Sequence, residues 1–519
     1  MRFRRTTLLG VLLYTLFATV SFAQDVTLTS RDGSVEIVGT LLGYDGEFFR
    51  VDSIYGELTL DGTGVLCSGP GCPDLDAFVA EIRATGADAI GNRLMPALIE
   101  AFARQQAYST NRIQIDDNNF VFELSEISSG QIAARFSFHI SSSDEGFADL
   151  LAEETDMAMS LREVSKAEVR RGDEAGFGRF SSPAQNRVIA LDALVPVVSP
   201  RNPVQQISPE ELASVFSGEI ANWNELGGID APVDLHLRNQ ESGVQSVFVE
   251  QIMKPSGREV STKVVQHSSN DELVRAVASN PFAIGLSTLS EQRGVRPLML
   301  AGGCGFRASA EPEALKSHDY PLTAPMFLYL RARRLPAIGR EFLRFTRSPA
   351  AQIAILRAGY VDQTISRTPV ARQGDRLANA IQAAGSEINL DELKRLVSAM
   401  KGARRLSLTF RFADGSSQLT AQSRSNVALL ARALESGVIG AQELTFVGFS
   451  DGEGGAKSNR LLSRERAASV RSAVVAEAAS ADPGRVPLRI DGFGEAMPMA
   501  CDDTEWGRQI NRRVEVWAR

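Results

Sequence analysis

The chain has 519 residues, too many for one hydrophobic core, and this predicts about two to four domains. Apolar residues at 44% and charged residues at 23% are ordinary for a soluble globular protein, and the net charge of -8 argues against a general nucleic-acid binder. Beyond the N-terminus no stretch approaches the ~20 consecutive apolar residues that span a bilayer.

Residues 1–23 read as a secretory signal. Arg2, Arg4 and Arg5 form a charged start, residues 8–20 an apolar run, and Ser21-Phe22-Ala23 puts small residues where a signal peptidase reads. A retained membrane anchor is the competing reading. No Cys follows the apolar run, so no lipoprotein site is seen. The mature chain is expected to begin at Gln24 in an oxidising compartment, the periplasm.

Residues 24–73 alternate short apolar runs with the turn pairs Asp32-Gly33, Asp45-Gly46 and Asp61-Gly62, which predicts a small β unit of four or five strands. Packing or protein contact is its default role. Cys67 and Cys72 enclose Ser-Gly-Pro-Gly, a turn that brings them together, so a local disulfide is expected. Cys304 and Cys501 are either free or paired with each other. A metal site would need more ligands near these cysteines than the sequence offers, and the four histidines, His139, His236, His267 and His318, are scattered and read as structural.

Over residues 74–367 helices alternate with apolar strands. Residues 75–83 read as a helix. The loop Gly86-Ala87-Asp88-Ala89-Ile90-Gly91 precedes a second helix over 94–105. Free amides at such a helix start suit an anion, and a plain strand-to-helix turn explains the loop equally well. Residues 156–160 end a strand, and 187–198 (RVIALDALVPVV) form a buried one. Ser208-Pro209-Glu210-Glu211 is a capping box with Pro at the first helical position, opening a helix to Phe216 that Ser217-Gly218 stops. A helix over 270–279 and a strand over 282–286 follow.

Three stretches here resemble the PstS family of phosphate-binding proteins: ALDALVPVVSPRNPVQQISPEELASVFSGEIANWNELGG at 190–228, RNQESGVQSVF at 238–248 and NDELVRAVASNPFAIGLSTLS at 270–290. The resemblance implies a type II periplasmic-binding-protein fold, two α/β lobes with a ligand cleft between them. It also implies an anion site built from Arg238, Ser242, Gly243, Ser160 and the loop carrying Asp88. The chain departs from the family pattern at Gly86-Ala87-Asp88-Ala89, which lacks the family's hydroxyls, and at Val244, where Thr is expected. Each lost charge-assisted bond to a phosphate oxygen is worth about 1.5–3 kcal/mol, so weakened phosphate binding is expected. Asp88 adds repulsion if ionised, unless it accepts a proton from a protonated phosphate oxygen.

Residues 368–402 read as a polar linker with short helices over 377–384 and 390–400. The last domain, 403–519, opens with a strand over 406–412, the turn Asp414-Gly415-Ser416 and a helix to about residue 434. The strand end FVGF at 446–449 then leads through Ser450-Asp451-Gly452-Glu453-Gly454-Gly455 into a helix from about residue 458. On that helix Asn459, Ser463, Arg466, Val470, Ala473 and Val474 share one stripe. Its later part is apolar, while its first turns carry an amide, a hydroxyl and a guanidinium. The stripe fits either a helix emerging from the core or a polar pocket with Asp451 at its mouth.

Ser450-Asp451, Gly454, Asn459, Leu462-Ser463, Arg466-Ala467 and Val470, with GFGEAMP at 492–498 and NRRVEV at 511–516, resemble the OmpA-like peptidoglycan-binding domain. The resemblance implies an α+β sandwich of order βαβαββ and, as ligand, the diaminopimelate of the peptide stem. The site it implies comprises Asp451, Asn459, Ser463, Arg466 and Arg513, with Asp451 and Arg466 gripping the ligand's charged ends. An Asp accepts from an ammonium, and a guanidinium holds a carboxylate bidentately.

The expectation is a multidomain periplasmic solute-binding protein for a small anion, phosphate first, held to peptidoglycan non-covalently by its last domain. An ABC transporter permease is a further candidate partner. No catalytic grouping, cofactor motif or metal cluster is visible, so a binding module is favoured over an enzyme such as a phosphatase on the same fold. The alternative is a ligand-free structural or protein-contact protein of the cell wall that has kept the fold.

Overall fold

The computed structural model describes residues 25–519 except 76, 240–241, 386, 414–415, 440–442 and 481–485. The secretory signal expected at 1–23 and the Asp414-Gly415 turn lie outside the described residues. The chain divides after Ala80 into two units.

In the first unit, strands Asp25–Ser30, Glu36–Tyr44, Phe48–Ser53, Gly56–Asp61 and Val65–Ser68 form one antiparallel sheet. Asp45 fixes one turn by accepting from the amides of Glu47 at 2.9 Å and Phe48 at 2.7 Å. Alternate strand positions place Val26, Leu28, Phe49 and Val51 in a small core. Cys67 and Cys72 are disulfide-bonded, with Cα atoms 5.9 Å apart.

The second unit is organised around strand Asn186–Val198. Its first part pairs antiparallel with Thr323–Leu330, and from Leu194 onward it pairs with Ala283–Thr288. One strand therefore runs through both lobes of a two-lobed α/β domain. Every residue of it but Arg187 is buried, as its unbroken apolar run requires. The first lobe continues through Met157–Ser160 and Ala80–Ala87 to a meander of Ile132–Ser141, Asn119–Glu126 and Tyr108–Gln114. The second lobe continues through Asp234–Arg238 to Val265–His267.

The helix expected over 75–83 is not formed; residues 80–87 are a strand. Buried Ala80, Ile82 and Ala84 alternate with exposed Glu81 and Arg83, which is the period of a strand. The capping box at Ser208 does form: its Oγ accepts from the Glu211 amide at 3.0 Å, and the Glu211 carboxylate accepts from the Ser208 amide at 2.7 Å. Gly218 ends that helix at φ 85°, a conformation that favours glycine.

The last domain carries the sheet Arg367–Pro369, Arg404–Arg411, Arg513–Ala518, Leu444–Phe449, Leu488–Gly492, in that order. Helices Ala421–Glu435 and Ala456–Glu477 pack Leu430, Val470 and Val474 on Leu406, Phe410, Val514 and Val516. The second helix lies very close to the sheet: a Cβ at Gly448 would come 1.8 Å from the Ser463 carbonyl oxygen. Helices Gly374–Gln382 and Leu390–Met400, in the stretch read as a linker, put Ala380, Leu396 and Met400 against Phe449, Phe493 and Trp517. They are thus built into the last domain. Leu393, Leu396 and Met400 recur at helical spacing, so the stripe needs a partner, and this sheet supplies it.

Candidate functional site

Two regions hold the residues singled out in the sequence. The first lies at the start of helix Ala456–Glu477. Asp451 is buried and accepts from Arg512 Nη1 at 2.9 Å. Asn459 Nδ2 donates to Glu495 at 3.1 Å. The Ser463 hydroxyl donates to the Arg460 carbonyl at 2.9 Å and accepts from the Gly494 amide at 3.0 Å, so it ties the helix to the neighbouring loop. The Arg466 guanidinium stands 5.7 Å from the Phe412 ring centre, and its buried Nη1 has no hydrogen-bond partner. Ser450 Oγ is likewise buried without one. Burial lowers the pKa of Arg466; the Asp451 charge opposes that shift, and Arg512 adds to it. At the other end burial raises the pKa of Glu495, with Glu387, Asp502 and Asp451 contributing. The region therefore brings a guanidinium and several carboxylates together.

Arg513 is not in this pocket. It has no exposed surface and bonds Glu515 at 2.8 Å and the Met497 carbonyl at 2.9 Å, over the Phe449 ring. Residues two apart on a strand share a face, so Arg513 meets Glu515 while Arg512 points to Asp451. Arg376 and Arg405 also pair with Glu515, and their charges hold its carboxyl well below the usual range despite burial. The sequence reading missed Arg512, Glu495 and Glu387. Arg512 and Glu495 stand inside the quoted end motifs, whereas Glu387, which accepts from the Ala456 amide at 3.2 Å, comes from the supposed linker.

The second region is the cleft. Arg238 Nη2 donates to the Ser268 carbonyl at 2.9 Å, and its Nε is buried without a partner. Ser242 caps helix Gly243–Phe248, its Oγ accepting from the Val244 amide at 3.3 Å. Ser160 is fully buried, and its hydroxyl donates to the Arg162 carbonyl at 2.8 Å. Leu161 packs close to Gly243, where a Cβ would lie 2.9 Å from its Cδ1. Asp88 is exposed and accepts from Asn92 at 2.6 Å without capping the helix behind it. Arg93 of the first lobe is ion-paired with Glu291 of the second, which also accepts from Asn270. Of the residues named from sequence, Gly243 meets Leu161 of the other lobe, and the two serine hydroxyls already serve the backbone. Among the described residues no group of three or more His, Cys, Asp or Glu could hold a metal ion, and no helix is long and apolar enough to cross a membrane.

The model of a PBP superfamily domain matches residues 131–350, and that of the OmpA family matches 411–512. The chain carries both domains. It is 28% identical over 228 residues to a phosphate-binding protein PstS of Bacillus subtilis, covering 42% of this chain and 72% of the relative. It is 39% identical over 70 residues to the probable lipoprotein YiaD of Escherichia coli, covering 14% of this chain and 30% of that protein. The crystal structure of an ABC-type phosphate transport receptor from Vibrio cholerae aligns with a TM-score of 0.42 at 20% identity, over 54% of this chain and 99% of that one.

Proposed function

We propose that this chain is a periplasmic protein anchored non-covalently to peptidoglycan through Asp451 and Arg466. The observation that carries the reading is the buried, unpartnered Nη1 of Arg466 beside Asp451, at the polar start of an otherwise apolar helix stripe. A buried polar atom without a partner calls for an explanation, and a ligand carboxylate supplies one. The diaminopimelate of the peptide stem brings that carboxylate together with an ammonium for Asp451 and Glu495. The purified chain should sediment with isolated diaminopimelate-type sacculi, and Arg466→Ala and Asp451→Ala should stay in the supernatant while remaining folded. If both variants still sediment, the pocket is not the anchor.

In the same reading the two-lobed domain binds a small anion, phosphate first, through Arg238, whose buried Nε is unpartnered. Tethering at the wall then keeps that site concentrated where solute arrives. A second reading, that this domain has lost its ligand and serves structure or protein contact, is favoured by Leu161 against Gly243. Equilibrium dialysis with labelled phosphate separates the two: saturable uptake that Arg238→Ala removes supports the first, and none supports the second.

A further inference from the structure

The last domain and the two-lobed domain border a half-open space that adjoins the cleft, sharing Leu161 and Gly243 with it. It has a volume of about 710 Å³, within the range of roughly 300–1,000 Å³ found for small-molecule sites. The two-lobed domain lines it with Leu161, Val247, Tyr320, Pro321, Pro325 and Phe327. The last domain faces these with Arg411, Thr420, Gln422, Trp506, Gln509 and Ile510.

The walls are fastened to each other. Cys304 and Cys501 are disulfide-bonded across the two domains. Nearby, the Phe306 and Trp506 rings meet edge to face at 5.1 Å. The Ala421 amide donates to Glu163 at 2.8 Å, Arg411 Nη2 donates to the His318 carbonyl at 2.9 Å, and Arg405 pairs with Asp319. The chamber is therefore held open by covalent and polar contacts around it and is not a gap between freely moving bodies.

Its charges are unequally satisfied. The carboxylates of Asp144, Glu250 and Glu505 are exposed at the rim, and each is already paired, with Arg162, Lys254 and Arg508. Glu163 accepts from the amide that opens helix Ala421–Glu435. Arg411 is different. Its three hydrogen bonds all go to carbonyl oxygens, of Gln509 at 3.0 Å, Ile510 at 2.7 Å and His318 at 2.9 Å. A guanidinium has five N–H donors, so two remain. It makes no ion pair of its own among the described residues. Burial lowers its pKa to about 10, partly opposed by the more distant charge of Asp319.

We propose that this chamber binds a small organic anion with an aromatic or branched apolar body. The anionic group meets Arg411, and the body lies against Trp506, Tyr320, Phe327 and the prolines. Apolar walls with one unneutralised cation select that combination: the walls favour a body that leaves water, and the guanidinium favours a carboxylate or sulfonate.

The probe is 1-anilinonaphthalene-8-sulfonate, an aromatic body with one sulfonate, titrated by fluorescence into the full chain with its disulfides intact. Saturable binding at one site per chain is expected. Ser246→Trp, at an exposed lining position, fills the chamber and should weaken binding at least tenfold, and Arg411→Gln should do the same. If Arg411→Gln fails to fold, comparison of the probe with uncharged N-phenyl-1-naphthylamine on the unaltered chain reads the same charge preference, expected at tenfold or more. Arg238→Ala, in the adjoining cleft, reads whether the probe sits there instead: a tenfold loss in that variant overturns the proposal. Undiminished binding by Ser246→Trp, equal affinity for the uncharged compound, or no saturable binding by the folded chain overturns the proposal.

Discussion

Arg466 in the last domain and Arg238 in the cleft both carry a buried guanidinium nitrogen without a hydrogen-bond partner, yet their surroundings differ. In the last domain the Ser450 hydroxyl, next in sequence to Asp451, is also unpartnered, and the charges of Glu387, Asp502 and Asp451 act on Glu495. In the cleft the hydroxyls of Ser160 and Ser242 are engaged by backbone, and Leu161 packs close to Gly243. One buried orphan atom therefore says little about a ligand. Several orphans facing a common space, with complementary charge opposite, say much more.

The largest expected effect tests whether Arg466 differs from the structural arginines of its own domain. Glu515 is fully buried among Arg376, Arg405 and Arg513, and Arg405 also pairs with Asp319. Glu515→Gln leaves buried cations uncompensated and should lower stability by about 3–5 kcal/mol in urea unfolding. Arg466→Ala removes a cation that lacks a bonded carboxylate and should change stability by less than about 1 kcal/mol. If Arg466→Ala unfolds the domain as readily as Glu515→Gln, the contrast between pocket and scaffold is lost.

Next comes the cleft. Leu161 is 8% exposed, and Leu161→Ala should cost about 2–5 kcal/mol, as large-to-small core changes do. The same change clears the space before Gly243 and should tighten phosphate binding at least tenfold by calorimetry. Tight binding by the unaltered chain, with no gain in the variant, would mean that Leu161 does not obstruct the site.

How far the sequence carried the reading follows from the same contrast. The buried strand Asn186–Val198, the capping box at Ser208 and the polar start of helix Ala456–Glu477 were legible because each is a local pattern with a local cause. Three features were not. The strand Ala80–Ala87 was read as helix because a short mixed run fits both periods until its neighbours choose one. The helices read as a linker gained their role from a sheet whose strands come later in the chain. The choice of Arg513 over Arg512 turned on which of two adjacent side chains faces the pocket, which only strand geometry settles.

A smaller, pH-dependent effect comes from Asp192, on the strand shared by the lobes. It is buried, and burial raises its carboxyl pKa to about 6 against hydrogen bonds from Ser290 and the Ala193 amide, while the Glu291 charge adds to the rise. The folded pKa lies above the ordinary 3.8. The folded chain thus holds this proton more tightly than the unfolded one, and the stability it gives is full below that value and lost as pH rises through about 6. The stability of the unaltered chain relative to Asp192→Asn should fall by about 2 kcal/mol between pH 4 and pH 6.5 and then level. A difference that rises with pH would place an ionised carboxylate here instead.

The smallest effect concerns Asp88, the residue that departs most clearly from the family pattern. Its carboxylate would repel a fully ionised anion if it faced the site. It is exposed instead and bonded to Asn92, four residues on, and it does not cap the helix that starts beside it. An exposed carboxylate is well screened by water and salt. Asp88→Ser should therefore alter phosphate affinity by less than about threefold, or about 0.7 kcal/mol, at both pH 5 and pH 8. The serine also loses the bond to Asn92, so any gain from removing the charge is offset by a looser helix start. If Asp88→Ser instead tightens binding tenfold at pH 8 and not at pH 5, the carboxylate turns inward when an anion is bound. Asp88, and not Leu161, would then be the main obstacle in the cleft.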